Sequence, residues 1–353
     1  MNMTKYVSLR IRKGFISFLL DKKVAFILSI LTGLTIFAVI LSAGIGNETI
    51  PISATLDVLF GGGDDYNALI IEQFRMPRIL IALMSGMSLA MAGAILQGMI
   101  RNPLASPDII GLVGGGSVGV VTFLAVFSNE SNALTVSIHW MPVAAFLGSA
   151  LIAILVYLLA WKNGVSPFRL VLIGIGLSAL AQAVTTFMMI IGPIHQASQA
   201  NIWLTGTVYG ANWEQVQILL PWVVVLVVSA LLVARRLNVQ ELGDELAVSV
   251  GSRVQWERFL LVMLSTALTA GAVAFAGGIG FVGLMAPHIA RRMVGSSFGG
   301  LLPVSALIGG LIVMMADLAG RTLFVPLDVP AGVFTATIGV PYFIYLLFKT
   351  RNQ

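Results

Sequence analysis

Long uncharged apolar segments divide this chain and leave few folds open to it. Nine blocks are long enough, or nearly so, to cross a bilayer as helices, which takes about 20 residues for a hydrocarbon core about 30 Å thick. They are Val24–Ala43, Ile79–Met99, Ile109–Phe127, Met141–Trp161, Leu170–Ile191, Ile218–Ala234, Phe259–Ala290, Leu301–Ala316 and Ala331–Phe348. Charged residues make up 10% of the 353 residues, against about 25% in soluble domains. This excludes a water-soluble globular enzyme and a disordered chain, and predicts an all-α integral membrane protein.

The seventh block is too long for a single crossing. Its 32 residues would form a helix of about 48 Å, and glycines between Gly277 and Gly283 interrupt it. Splitting it there gives about ten spans. With a cytoplasmic N-terminus, ten spans place 17 of the 20 Lys and Arg residues inside, whereas nine spans place 14 inside. Because cytoplasmic loops are enriched in Lys and Arg, we predict ten spans with both termini cytoplasmic. Residues 24–350 then form one transmembrane domain, and residues 1–23 form a basic cytoplasmic arm.

The sequence carries no recognisable catalytic or nucleotide-binding motif. A Walker A loop needs a Lys directly after a Gly, and no Lys of this chain follows a Gly. The chain has no cysteine, which excludes thiolate metal sites and cysteine nucleophiles. His139, His195 and His288 are far apart in sequence, so we interpret them as separate polar or interfacial side chains. We predict no cofactor, no metal site and, because the basic residues are scattered, no nucleic-acid partner.

The hydrophilic stretch between the sixth and seventh spans, residues 237–258, is predicted to contain two short helices at the membrane surface. Leu242, Leu246 and Val250 recur at i, i+4 and i+8, which places them on one helical face. The neighbouring acidic residues lie off that face. Helices that lie on lipid usually carry Lys and Arg on their polar face. The acidic character therefore favours docking of a cytoplasmic partner, with an interfacial helix on lipid as the alternative.

Polar side chains within the apolar blocks give two further hypotheses. Ser178, Gln182 and Thr185 share one face of the fifth span. They fit either a wet translocation pathway or hydrogen bonds between helices, and the pattern does not separate the two. Asp317 is the one carboxylate inside or at the edge of an apolar block, a placement that is functional by default. Arg321 follows at i+4, so a local ion pair is the interpretation we favour.

Five ordered sequence blocks resemble those of the FecCD-type permeases, the membrane subunits of ABC importers for ferric siderophores, haem and cobalamin. The blocks are Arg75-Met-Pro-Arg78, Gly93-Ala-Ile-Leu-Gln through Asn102-Pro-Leu-Ala-Ser-Pro107, Leu242-Gly243 through Gly251, Gly280-Phe-Val-Gly-Leu-Met-Ala-Pro-His288 through Arg291, and Ala316-Asp317 through Gly339. Asp328 stands where the family usually has Glu, and Val250 where it usually has Leu. The resemblance runs from Arg75 to the last span and agrees with ten spans.

The resemblance implies the permease fold of a type II ABC importer, together with its partners. These would be a second permease chain, identical or related, two cytoplasmic ATP-binding subunits that hydrolyse ATP, and an extracytoplasmic substrate-binding protein. The chain itself would then be a transport subunit and not an enzyme, in the cytoplasmic membrane and in contact with lipid. Ferric siderophores are the expected cargo, with cobalamin and haem as alternatives. An ion-coupled secondary transporter is the alternative class. Such a protein would be expected to carry further carboxylates in the middle of its spans, in addition to Asp317.

The resemblance also assigns roles to residues of this chain. Arg75, Arg78 and Arg321 are the three basic residues left outside by the ten-span arrangement, and they would dock acidic residues of the binding protein. Five residues would couple the permease to the ATP-binding subunits: Leu242, Gly243, Glu245, Ala247 and Gly251. Ser178, Gln182 and Thr185 would line the translocation pathway.

Overall fold

The computed structural model describes residues 6–11, 16–129, 134–162, 164–191 and 194–350. The helices are α1 Lys22–Gly44, α2 Ile52–Leu59, α3 Asp65–Ala68, α4 Met76–Ile100, α5 Leu112–Val126, α6 Met141–Ala160, α7 Pro167–Ile191, α8 Ile194–Thr205, α9 Trp213–Glu241, α10 Asp244–Ser249, α11 Val254–Ala276, α12 Val282–Val294, α13 Phe298–Thr322 and α14 Ala331–Thr350. A π-helical turn, Leu69–Arg75, joins α3 to α4. Strands β1 Tyr6–Ile11 and β2 Ile16–Asp21 form an antiparallel hairpin before α1.

Apolar helices dominate, as the sequence predicts. Seven helical segments in the described part of the chain are long and apolar enough to cross a membrane, and α5 and α14 are shorter apolar helices. Each of the ten predicted spans coincides with a helix. The break predicted in the seventh block is present, because α11 ends at Ala276 and α12 begins at Val282. Five of the elements named above were not predicted: the hairpin within the N-terminal arm, helices α2, α3 and α8, and the π-helical turn before α4.

Helix α4 forms the centre of the bundle. Its apolar stretch is 83% buried, whereas those of α1, α7 and α9 are 22% buried. It packs against α9, α11, α12 and α13. Glycines allow this close approach, since a Cβ on Gly93 would collide with the carbonyl oxygen of Gly283 in α12. The outer helices present many exposed apolar side chains, as expected for a surface that faces lipid or another membrane chain.

Charged residues gather at the two opposite ends of α4. We call one the Arg78 end, defined by Arg75, Arg78, Asp317, Arg321 and Asp328. We call the other the Asp244 end, defined by Arg101, Glu241, Asp244, Arg258 and Arg291. The 25 residues of α4 span about 37 Å at 1.5 Å per residue. One helix therefore links both charged ends.

Candidate functional site

At the core of the Arg78 end, one arginine side chain bridges two carboxylates. Arg78 donates from Nε to both oxygens of Asp317, at 2.9 and 3.0 Å, and from Nη2 to Oδ1 at 2.7 Å. Its Nη1 and Nη2 also donate to the two oxygens of Asp328, at 2.7 and 2.9 Å. The guanidinium lies 5.6 Å from the ring centre of Tyr209, within cation–π range. Paired, charge-assisted bonds of this kind fix geometry tightly.

The other two arginines of this end fasten neighbouring elements together. Arg75 donates from Nη1 to the carbonyls of Ala43 and Gly44, at 2.7 and 2.9 Å, and from Nη2 to the carbonyl of Glu48 at 2.6 Å. It thereby ties the start of α4 to the end of α1. Arg321 donates to the carbonyl and hydroxyl oxygens of Ser42, which ties α13 to the same helix end.

The structure places the three predicted docking arginines together, but not as free surface cations. The exposed fractions are 7% for Arg75 and Arg321 and 12% for the Arg78 side chain. The predicted pairing of Asp317 with Arg321 is also not the main contact. These two groups lie 3.8 Å apart, whereas Asp317 lies 2.7 Å from Arg78. The local spacing was visible in the sequence, but a partner 239 residues away was not.

Helix α10 projects from the Asp244 end. Leu242, Leu246 and Val250 are exposed, while Ala247 is buried. The prediction that the three apolar residues share one helical face is wrong, because the chain breaks at Gly243: Leu242 caps the end of α9, and only Leu246 lies within α10. Gly243 and Gly251 flank the helix with φ of 111° and 86°, a backbone region in which L-side chains are strained. The predicted second short helix is wrong: residues after Arg253 form the first turn of α11, because the helical pattern there continues into the apolar span.

The predicted coupling carboxylate, Glu245, is exposed on α10, and its neighbour Asp244 carries the ion pairs. Asp244 accepts from Arg101 at 3.0 Å and from Arg258 at 3.0 and 3.2 Å. Sequence reasoning placed Asp244 among the acidic residues off the apolar face but did not single it out. Its position as the first residue after the glycine break was the available signal, since acidic side chains favour a helix N-terminus.

A cavity of about 720 Å³ with a mixed polar and apolar lining opens beside α7. Its polar lining residues are Asp108, Ser117, Ser178, Gln182, Thr186, Asn201 and Thr205, with apolar side chains such as Met189 between them. Two of the three predicted pathway residues, Ser178 and Gln182, therefore line one cavity. Thr185 does not: it is buried, its hydroxyl has no hydrogen-bond partner among the residues that the structure describes, and Thr186 lines the cavity instead.

Asp108 is the carboxylate of this cavity, and the sequence analysis missed it. It lies in the connection between α4 and α5, and its Oδ2 accepts a hydrogen bond of 3.1 Å from the backbone N–H of Phe281. Phe281 has φ of 66° and ends the break between α11 and α12. A carboxylate directly before the apolar block that starts at Ile109 was the only sequence signal. The cavity is therefore rich in hydroxyl and amide groups and carries one acidic group per chain.

The histidines lie in separate surroundings. His139 lies 2.9 Å from Glu214, and the ring of His288 meets Tyr342 edge-on at 5.8 Å. The side chain of His195 lies outside the described residues. No group of three His, Cys, Asp or Glu that could hold a metal ion occurs among the residues that the structure describes.

Comparison with known proteins places this geometry in a family. Residues 34–349 match the model of the FecCD transport family. The "Probable siderophore transport system permease protein YfhA" of Bacillus subtilis (strain 168) is 57% identical over 94% of this chain and 97% of that protein. The achromobactin transport system permease protein CbrC of Dickeya dadantii (strain 3937) is 46% identical over 90% of each.

Structural comparison gives the same answer. A metal-chelate type ABC transporter solved in an inward-facing conformation superposes with a TM-score of 0.82 at 31% identity, covering 92% of this chain and 99% of that one. The match thus extends over nearly the whole of both chains. This protein is a multi-pass membrane permease and belongs to the FecCD transport family.

Proposed function

We propose that this chain is the permease subunit of an ATP-driven importer that moves ferric siderophores across the cytoplasmic membrane by alternating access. The observation that carries the proposal is the 57% identity, over almost the entire length of both chains, to a permease named for siderophore transport. Other relatives are named for achromobactin, Fe(3+)-hydroxamate and Fe(3+)-citrate transport. These names favour an iron chelate over cobalamin or haem as cargo.

Ten spans with cytoplasmic termini remain our proposed topology. The pairs Arg101–Asp244 and Arg291–Glu241 bring the ends of α4, α9 and α12 to one end of the bundle. Helix α11 starts at this same end, so α12 has to return the chain to it. The Asp244 end carries many of the basic residues and would face the cytoplasm by the positive-inside rule. The Arg78 end would then face outward.

The two ends suit different partners. The exposed apolar side chains in and beside α10, Leu242, Leu246 and Val250, would dock into the cytoplasmic ATP-binding subunits. Glu245, Gly243, Ala247 and Gly251 would belong to the same coupling contact. At the Arg78 end the extracytoplasmic binding protein would dock. A second permease chain, identical or related, would complete the pathway, and lipid would cover the remaining apolar helices.

The burial of the arginines refines the docking proposal. Arg75 and Arg321 are buried and donate hydrogen bonds to oxygens at and after the end of α1, so they would act mainly by fixing the shape of the Arg78 end. The Arg78–Asp328 pair is the accessible part, since the Asp328 side chain is 27% exposed. An acidic residue of the binding protein would compete with Asp328 for Arg78. Contacts of this kind govern encounter and register more than raw affinity.

An ion-coupled carrier is the weaker proposal. It rested on Asp317, and this carboxylate is held by Arg78 and Arg321, which favours a structural role. Uptake that continues after the ATP-binding subunit is inactivated would revive that class.

The experiment is uptake of radiolabelled iron from a panel of ferric siderophores in cells with and without this chain. We expect loss of uptake for at least one siderophore and its return on complementation. Unchanged uptake over the whole panel, in a strain without a redundant iron importer, would overturn the siderophore assignment. Haem and cobalamin would then become the favoured cargoes, and the assignment of the permease fold would be unaffected.

A further inference from the structure

We infer that Asp244 is a positioning residue that links movement of α10 to the central helix α4, and through α4 to the Arg78 end. The inference rests on the proposed function, because it names the residue through which that same permease would transmit the action of its ATP-binding subunits. Neither Asp244 nor Arg101 was among the coupling residues expected from the family resemblance.

Asp244 joins three separate parts of the chain. It is the first residue of α10, and its carboxylate accepts from Nη2 of Arg101 at 3.0 Å and from Nη2 of Arg258 at 3.0 Å. Arg258 belongs to α11, its side chain is 1% exposed, and its Nη1 donates to the carbonyl of Val165. Helix α10 is thus fastened to a buried anchor on one side and to Arg101 on the other.

Arg101 is the direct connection to α4. It is the C-cap residue of α4, with φ of 56° and ψ of 37°, a left-handed conformation uncommon for a residue with a side chain. Gly243 leaves room for this contact, because a Cβ there would lie 3.3 Å from Nη1 of Arg101. The backbone conformations of both residues therefore fit the approach of Arg101 to the start of α10.

Helix α4 can carry a displacement across the bundle. It is the most buried of the apolar segments and is packed on several sides. A displacement of Arg101 would therefore shift the whole helix against its neighbours, and would not be absorbed by a flexible loop. Its other end carries Arg78, which bridges Asp317 and Asp328. Closure of the ATP-binding subunits on α10 would in this way alter the surface offered to the binding protein.

The test uses the complete importer, with this chain, its ATP-binding subunits and its binding protein reconstituted in lipid nanodiscs. The variants are Asp244→Asn, Arg101→Gln and the double variant, with Asp244→Glu as the conservative rescue. Glu241→Gln is the matched control, because it removes a carboxylate from a partly exposed ion pair at the same end, with Arg291, and neither partner of that pair belongs to α4. The readouts are assembly of the complex, basal ATPase activity, and stimulation of that activity by loaded binding protein.

We expect Asp244→Asn and Arg101→Gln each to assemble and keep basal ATPase activity, and to lose stimulation by about fivefold or more, the lower end of typical allosteric coupling. The double variant should lose no more than Asp244→Asn alone, because that substitution already removes the charge pair between Asp244 and Arg101. Asp244→Glu should recover part of the stimulation, and Glu241→Gln should retain it.

Three results would overturn the inference. Arg101→Gln with full stimulation would break the proposed path, and losses that add in the double variant would show two independent effects. Failure of both single variants to assemble would assign the cluster a purely structural role. The proposed function fails separately, if the wild-type complex shows neither stimulation by any loaded binding protein nor uptake.

Discussion

At the scale of single residues, buried charge at the Arg78 end makes Asp317 the most sensitive carboxylate. Asp317→Asn would leave Arg78 and Arg321 without their shared counter-charge in a buried site, a loss that typically costs about 3–5 kcal/mol. We expect a clearly lower thermal unfolding temperature of the purified protein in detergent. Asp57→Asn, at an exposed position on α2, should leave that temperature unchanged. Equal stability of the two variants would contradict the structural role given to Asp317.

Asp328 is the opposite case, because its pair with Arg78 is partly exposed and Arg78 keeps Asp317. Asp328→Asn should cost under about 1 kcal/mol in stability, as exposed ion pairs do. It should also free one side of Arg78 for an acidic residue of the binding protein. We expect a lower Kd for the binding protein when the variant permease is immobilised on a sensor surface. The increase in affinity over the wild type should become smaller as salt is added. Weaker binding would show that Asp328 itself contributes to the docking surface.

Asp108 gives the lining of the cavity its negative charge. Asp108→Asn keeps an oxygen that can accept from the Phe281 N–H, but removes the negative charge. Because one sign of charge in a cleft raises the local concentration of the opposite sign, we expect the variant to lose preference for cationic cargo. The measurement is uptake of a ferric trihydroxamate with a free amine relative to its N-acetylated form. A fall in that ratio is expected, and an equal change for both forms would limit Asp108 to holding Phe281.

At the scale of helices, the contact between α4 and α12 depends on the absence of a side chain. Gly93→Ala would drive a methyl group into the carbonyl of Gly283, and overpacking of this kind costs about 1–3 kcal/mol. We expect less folded protein in the membrane and a lower unfolding temperature. Gly33→Ala is the control, since nothing lies within 4 Å of a Cβ at that position in α1. It should be neutral or slightly stabilising, and a matching loss in both variants would rule out the packing explanation.

The sequence predicted the helices well where apolar length decided the matter. Continuous apolar runs and four clustered glycines located ten helical segments, including the break after Ala276. Helix α8 was missed because its polar residues, His195 to Asn201, interrupt the apolar pattern. The hairpin was missed because its residues were interpreted only as a basic arm. The helix ends also differ from the ends of the apolar blocks. Helix α9 begins at Trp213 and ends at Glu241, beyond the predicted Ile218–Ala234, since polar residues can continue a helix past its apolar part.

The candidate sites were only partly accessible from the sequence. Ser178 and Gln182 were found because they lie one turn apart on one helix. The bridge from Arg78 to Asp317 and the pair between Arg101 and Asp244 join residues that are 239 and 143 positions apart. Contacts of this kind depend on which helices become neighbours, and local periodicity carries no such information.

At the scale of the whole molecule, the absence of cysteine allows the topology to be tested without background labelling. Single cysteines at Asp57, Lys162, Ser296 and Leu327 would be treated with a membrane-impermeant thiol reagent in intact cells. Ten spans predict labelling at positions 57 and 327, and labelling at positions 162 and 296 only after permeabilisation. Labelling of position 296 in intact cells would show that α12 does not complete a crossing.

The pairing of Arg78 with Asp317 also sets a condition on how the protein is made. Helix α4 leaves the ribosome long before α13, and at about 5–20 residues per second the 239 intervening positions take roughly 12 to 48 s to synthesise. Throughout that interval Arg78 is in or near the bilayer without its main counter-charge. A chain cut short before α13 would therefore keep this arginine unneutralised and present a degradation signal to membrane proteases. Synthesis of the C-terminal helices is thus required before the charge on a helix inserted near the beginning is neutralised.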